Sequence, residues 1–151
     1  MNANELSVGN FVEFRYGDKG VYVKVVKIDY TENIVVGESS DGSRYSASFD
    51  NVFPILISGK TLLKNDFCYQ ESTGCYYCFP DYNYDKCTLE FSIFNVDSET
   101  RNNQVHIEEG YVGDGGKMGS STMLHLMECN FIHQLQNIFV VCDIDKQITE
   151  L

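Results

Sequence analysis

Six cysteines are the residues of this chain best suited to chemistry, and four of them lie close together in sequence. Cys68, Cys75, Cys78 and Cys87 follow the spacing C-x6-C-x2-C-x8-C. Thiolates are good zinc ligands, and a C-x2-C knuckle is half of the usual structural site. Only one knuckle occurs, and on a strand its two thiols would point to opposite faces unless Gly74 makes a turn. The spacing therefore leaves two alternatives open, a zinc site and free thiols.

Aromatic residues crowd the same part of the chain, where they alternate with aspartates. Tyrosine offers a large contact area at a low entropy cost and is enriched at the centres of protein interfaces. The neighbouring carboxylates would repel a nucleic-acid backbone from these rings. Ordinary packing of the rings is one interpretation, and a partner-binding patch is the other. The patch would consist of Tyr76, Tyr77, Phe79, Tyr82 and Tyr84.

Amide side chains cluster near the end of the chain, around a single histidine. Amides both donate and accept hydrogen bonds, so they suit the unpaired backbone groups of a sheet edge or a helix start. We interpret His133, Gln134, Gln136 and Asn137 as a structural hydrogen-bonding motif. A ligand or partner site is the alternative.

Motifs of the common enzyme classes are missing from the sequence. The glycine-rich segment 110–121 has Met118 where a P-loop needs Ser or Thr and where a dinucleotide fingerprint needs Gly. Neither H-E-x-x-H nor G-x-S-x-G occurs. We therefore expect no enzymatic activity, and we interpret residues 110–121 as a flexible connector.

The charge of the chain limits its partners. Its 151 residues include 11 Lys and Arg against 22 Asp and Glu, a net charge of −11 with the basic residues scattered. Such a chain repels nucleic acids and anionic membranes, although an acidic protein could also imitate DNA and occupy a nucleic-acid-binding protein. Without a long apolar stretch or a signal-like start, we expect a cytoplasmic protein with no membrane span.

Short strands separated by turns fill the first third of the chain. Alternating polar and apolar residues predict the strands, and Ser40-Asp41-Gly42 is a hairpin signal. Five strands within about fifty residues favour a small, bent, SH3-like barrel. The predicted strands are 11–14, 21–30, 34–36, 44–49 and 52–55.

The remaining residues predict a short helix, more strands and one longer helix. Ser58 is the predicted N-cap of helical turns over 58–64, and Asn130 is the predicted N-cap of a helix over 131–141. The predicted strands between them are 67–71, 76–79, 88–96, 105–107 and 122–129.

Together these elements predict an α+β fold in two parts. An N-terminal SH3-like small β-barrel would cover residues 1–57. A small antiparallel sheet with one C-terminal helix would cover residues 58–151. The charge is also uneven, because residues 1–58 carry eight acids and five bases (net −3), whereas residues 59–151 carry fourteen acids and six bases (net −8).

Four short motifs occur in a recognisable order: NELxxGN at 4–10, FPI at 53–55, LLKxxF at 62–67 and IHQLQN at 132–137. This order resembles a family of small uncharacterised proteins of Bacteroidetes and their phages or prophages. The resemblance implies a bacterial cytoplasmic or phage-encoded protein and implies no activity.

The chain departs from that family at two places. It has CDID at 142–145, where the family often has TGEE, and its Cys and Tyr cluster at 68–87 is not a family feature. From all these observations we expect a non-enzymatic module that binds a protein partner and needs no cofactor. The alternatives are an acidic mimic that inhibits a host nucleic-acid-binding protein and a zinc-binding protein that uses Cys68–Cys87.

Overall fold

The chain forms two compact units with an α+β architecture. The computed structural model describes residues 3–78, 87–96, 102–112 and 118–151. The first unit comprises Met1–Leu56 and Phe131–Asn137, and the second comprises Ile57–Asn130 and Ile138–Leu151. The described strands form two five-stranded antiparallel sheets, accompanied by one main helix. No helix of the described residues is long and apolar enough to cross a membrane.

Five consecutive strands form the sheet of the first unit. They are β1 (Phe11–Tyr16), β2 (Lys19–Asp29), β3 (Ile34–Glu38), β4 (Arg44–Ser48) and β5 (Val52–Phe53). Their spatial order is β4-β3-β2-β1-β5. The first four strands therefore pair in the order of the chain, and β5 pairs with the other side of β1. Among the described strands, β4 and β5 remain unpaired edges, and the hydrogen-bonded ladder is therefore open rather than a closed barrel.

Alternation along the strands places the apolar core of the first unit on one face of its sheet. Val12 and Phe14 of β1 are fully buried, while the residues between and beside them are not. Val23, Val25 and Val35 extend the same face into β2 and β3. A period of two residues is the direct consequence of the pleat, which is why the sequence already indicates this core.

The second unit is built around the other sheet. Its elements are α1 (Gly59–Lys64), β6 (Cys68–Gln70), β7 (Cys75–Cys78), β8 (Cys87–Phe94), β9 (Gln104–Val112) and β10 (Met118–Glu128). The strand order is β10-β9-β8-β7-β6. The last helix, α2 (Ile132–Val141), supplies Phe139, whose ring packs edge-on against that of Phe91 with the centroids 5.0 Å apart.

Both predicted helices are present, but one of the two predicted caps is wrong. Ser58 caps α1, and its side chain accepts a hydrogen bond from the Thr61 N–H at 3.2 Å. Asn130 instead uses its Oδ1 to accept from the backbone of Asn103 at 2.9 Å. At the start of α2, the Gln134 side chain reaches back to the Phe131 N–H at 3.3 Å, which is the return bond of a capping box.

The glycine-rich segment is mostly strand, which corrects the prediction of a connector over 110–121. β9 runs on to Val112 and β10 begins at Met118, and these two residues are cross-strand partners. Gly110 pairs with Ser121 on one side and with Thr88 of β8 on the other. Partners on both sides satisfy the backbone groups of β9, so the strand continues through its glycine. Only residues 113–117 of this segment lie outside the described part.

The two units differ from the predicted parts at residue 57 and at residues 131–137. The sequence predicts a boundary after residue 57, with everything beyond it in the second part. The first unit ends at Leu56 but also includes Phe131–Asn137. An isolated bridge between Leu56 and Phe131 joins this late segment to the end of the first stretch.

Candidate functional site

Gln136 joins the late segment of the first unit to the start of β1. Its Oε1 accepts a hydrogen bond from the Phe11 N–H at 2.8 Å, and its Nε2 donates to the Gly9 carbonyl at 3.1 Å. One side-chain amide thus pairs with two backbone groups at the point where β1 begins. It extends the hydrogen bonding of the strand as a short piece of backbone would.

Asn137 and Asn10 continue the same arrangement. Asn10 donates through Nδ2 to Asn137 Oδ1 at 3.0 Å, and Asn137 donates through Nδ2 to the Glu5 carbonyl at 2.8 Å. Asn10 also accepts from the Ser7 N–H at 2.7 Å. All three amides both donate and accept. We call Asn10, Gln136 and Asn137, with the backbone of residues 5–11 that they bind, the amide clasp.

The turn before β1 explains why the early half of the clasp has its sequence. Gly9 has a φ of 97°, a left-handed conformation that glycine adopts without a steric penalty. This conformation lets the Gly9 N–H donate to the Val25 carbonyl, while the Asn10 carbonyl accepts from the Val25 N–H, both at 2.8 Å. The turn is therefore fixed to β2 before the late segment binds it.

His133 lies beside the clasp and differs from its other polar side chains. Its side chain is only 1% exposed, and neither ring nitrogen has a hydrogen-bond partner in the described part of the chain. The Phe131 ring is stacked on the imidazole at 5.8 Å, and the Glu5 carboxylate lies 3.8 Å from Nε2. Burial lowers the pKa of His133, and the negative charge of Glu5 opposes that shift.

The predicted aromatic patch is described only in part. Tyr76 and Tyr77 lie on β7 and are half-buried, whereas Phe79, Tyr82 and Tyr84 lie outside the described residues. The structure adds Tyr69, which pairs across the hairpin with Tyr76 at a ring distance of 4.9 Å. Sequence analysis did not include Tyr69 in the patch, because its neighbour depends on the register that the turn after β6 sets.

Tyr69 stands on an edge of the second sheet. All three residues of β6 are exposed, and β6 pairs only with β7 among the described strands. The Gln70 carbonyl accepts from the Gly74 N–H inside the turn, so the backbone of Gln70 faces β7. Because successive residues of a strand face opposite sides, the N–H and C=O of Tyr69 face away from the sheet.

The predicted zinc ligands do not converge where they are described. β7 is a regular strand through Cys75–Cys78, so those two thiols project from opposite faces. Burial raises the pKa of Cys78 to about 12, which keeps the thiol protonated and a poor ligand at neutral pH. Cys68 is exposed on β6, and the side chain of Cys87 lies outside the described part. Within that part, no group of three or more metal-ligating side chains could hold an ion.

Two carboxylates lie opposite each other on the face of the second sheet that points away from its core. Glu90 of β8 is the direct cross-strand partner of Glu108 of β9. Ser92, the next residue on that face, donates to Glu90 Oε1 at 3.0 Å and pairs in register with His106. Like charges directly opposite each other destabilise a sheet, so this pair costs stability.

Comparisons of the chain with known protein families, with curated proteins and with solved structures gave no match. The function must therefore be argued from the residues of this chain alone.

Proposed function

We propose that this chain is a non-enzymatic, cytoplasmic protein-interaction module that holds a protein partner at the β6–β7 edge of its second sheet. The observation that carries the proposal is the ring pair of Tyr69 and Tyr76 at that edge. A tyrosine that is exposed on one side and packed on the other is already ordered, so a partner that covers it loses little further entropy.

The backbone and the side chain of Tyr69 favour the same surface. Its side chain is about half exposed and its backbone lies at an edge that no further described strand pairs with, so an extended partner segment could bind both. Tyr77, on the neighbouring strand, is the cross-strand partner of the exposed Cys68. The aromatic residues at 79, 82 and 84 of the predicted patch follow β7 directly in sequence.

The test compares proteins captured from a bacterial lysate by the wild-type chain and by two variants. The first variant combines Tyr69→Ser with Tyr76→Ser, and the matched control is Tyr22→Ser, which removes an exposed tyrosine of β2. Loss of a central aromatic contact weakens an interface by about 2 kcal/mol or more, roughly thirtyfold in affinity. We expect a protein that the wild type and the control retain and that the double variant loses. Identical sets of captured proteins for all three chains would refute the proposal.

The SH3-like interpretation of the first unit is part of the same proposal. Three observations support it: the strand order β4-β3-β2-β1-β5, the 3-10 turn Phe49–Asn51 between β4 and β5, and a hydrogen bond from the Tyr16 hydroxyl to the Ser46 carbonyl at 2.8 Å. That bond draws β1 towards β4, as a curling sheet requires. Nuclear Overhauser contacts between Tyr16 and β4 would test it in solution.

We also propose that the chain belongs to the Bacteroidetes and phage family that it resembles. The amide clasp supports it, because residues of its NELxxGN and HQLQN motifs bind each other. Selection for one clasp would explain why both motifs occur together. A chain of that family with both motifs should lose stability when the asparagine equivalent to Asn10 is replaced by alanine.

The paired carboxylates favour a second candidate function, an acidic mimic of nucleic acid. The second unit carries fourteen acids and six bases, a net charge of −8, and Glu90 and Glu108 face each other on its sheet. A mimic binds basic clefts, and its affinity falls steeply as salt rises. We would compare Glu90→Gln with Glu108→Gln against the control Glu32→Gln in competition with DNA for a captured partner. The mimic would be excluded if the affinity for the partner changed neither with salt concentration nor with Glu90→Gln and Glu108→Gln.

A further inference from the structure

His133 is the one polar side chain around the amide clasp that the described residues leave unsatisfied. Its Nδ1 and Nε2 are both buried without a hydrogen-bond partner, whereas Asn10, Gln136 and Asn137 all donate and accept. A buried polar group without a partner destabilises the folded chain, because it has lost the hydrogen bonds that water would give it. An apolar side chain of similar size would avoid this loss of stability. A buried imidazole at this position therefore indicates a role other than packing.

Few groups can stabilise a proton on this ring. Glu5 is the facing carboxylate, but its Oε2 lies 3.8 Å from Nε2, which is too long for a hydrogen bond. The positive charge of the amino terminus acts in the opposite direction, and the stacked Phe131 ring offers no acceptor in its plane. A protonated His133 would therefore hold two N–H donors in the interior without a hydrogen bond from the described residues, and its counter-charge would be the half-exposed Glu5 carboxylate at 3.8 Å.

We propose that His133 is an acid-operated release for the amide clasp: when its ring takes up a proton from solvent, residues 4–11 separate from Phe131–Asn137, and when the proton leaves, the clasp closes again. The inference does not depend on the proposed partner surface, because every residue that carries it belongs to the first unit.

The direction follows from the balance of burial and charge at His133. Burial is the larger effect and lowers the pKa of His133 while the clasp is closed, and the attraction of Glu5 only reduces that shift. Once the clasp opens, water reaches the ring and its pKa returns towards about 6.5. The open form then binds protons more readily than the closed form. The opening constant therefore rises as the pH falls below about 6.5, by up to tenfold for each pH unit.

The Phe11 amide reports the clasp directly, because its N–H donates to Gln136 Oε1. We would follow its hydrogen exchange by NMR between about pH 7.5 and about pH 5.5, after correction for the intrinsic pH dependence of exchange. We expect the protection of Phe11 to fall about tenfold over this range. The Val35 amide, in the buried middle of the same unit, should keep its corrected protection. Constant protection at Phe11, or an equal fall at Val35, would overturn the proposal.

Two variants separate the histidine from general acid effects. His133→Leu removes the titration and keeps an apolar side chain of similar size, so the pH dependence at Phe11 should vanish. Glu5→Gln changes a half-exposed side chain, leaves the fold intact, and removes the charge that favours the imidazolium. It should deepen the loss of protection at about pH 5.5. The release mechanism would be refuted if the protection of Phe11 depended on pH in His133→Leu as it does in the wild type. It would also be refuted if that dependence were weaker in Glu5→Gln than in the wild type, so either variant alone suffices if the other fails to fold.

Discussion

Gly37 of β3 is a position where the structure predicts that a single added methyl group lowers stability. A Cβ built there would lie 2.7 Å from Val23 Cβ and 3.3 Å from Phe14 Cζ. Both neighbours are fully buried, and the Cβ of Val23 is attached to a β2 backbone that is paired with Val12 of β1. Rotation of a side chain cannot relieve this contact, so Gly37→Ala must move the strands apart.

The size of the effect follows from two opposing contributions. Overpacking of a well-filled core costs about 1–3 kcal/mol, and the restriction of the unfolded chain by alanine returns about 0.4–1 kcal/mol. We therefore expect Gly37→Ala to lower the free energy of unfolding by about 1–2 kcal/mol. Gly20→Ala is the matched control, because the three atoms nearest to its Cβ would all belong to the side chain of Glu13, which is flexible. That side chain can move aside, and we expect a change within about 0.5 kcal/mol.

Urea unfolding followed by far-ultraviolet circular dichroism measures both variants. The comparison requires equal slopes of free energy against urea, since a changed slope would mean a changed unfolded or native state. The reasoning is refuted if the two variants have the same midpoint, or if Gly37→Ala is as stable as the wild type.

Three further predictions concern the second unit. Asp143 is exposed with a φ of 53° just after α2, so Asp143→Gly should raise the free energy of unfolding by about 0.5–1 kcal/mol in the same urea assay, and a loss would contradict the cap geometry. Iodoacetamide at about pH 8 should label the exposed Cys68 and spare Cys78, whose pKa burial raises to about 12; mass spectrometry would show equal labelling if that burial were wrong. The Asn65 side-chain amide donates to the Glu150 carbonyl and accepts from the N–H groups of Thr149 and Glu150. Asn65→Ala should therefore lower the free energy of unfolding by about 2–4 kcal/mol and make residues 149–150 accessible to carboxypeptidase. Unchanged digestion would exclude this role.

The elements that depend on local sequence were predicted well. The alternation through Phe11–Phe14 and the cap at Ser58 each involve neighbours within a few residues, and the structure confirms both. The α+β class followed from the same local patterns. These features need no long-range information, because pleat and helix periodicity are properties of the backbone itself.

The errors arose where distant residues supply the partner. The glycine-rich segment carries loop-forming residues, but Gly110 pairs with Thr88 of β8 and therefore belongs to a strand. Asn130 carries a capping side chain, but the Asn103 backbone takes its oxygen. A local propensity of a few tenths of a kcal/mol loses to a hydrogen bond that satisfies a buried backbone group.

The candidate site shows the same division. Sequence analysis selected His133, Gln134, Gln136 and Asn137 by residue type, and it proposed that they bind backbone. It could not say which backbone, since Gln136 and Phe11 are 125 positions apart in the chain. It also missed Tyr69, because only the register of the hairpin places this ring on Tyr76.

Residue type and short-range periodicity are enough to predict the strands of the first unit, the two helices, the acidic charge and the amide-rich motif. Three features depend on the folded chain: residues 131–137 belong to the first unit, Asn10 binds Asn137, and His133 is buried without a hydrogen-bond partner among the described residues. The physical reason is that burial and hydrogen-bond partners are properties of the folded chain. The pKa of an imidazole falls only when distant segments exclude water from the ring.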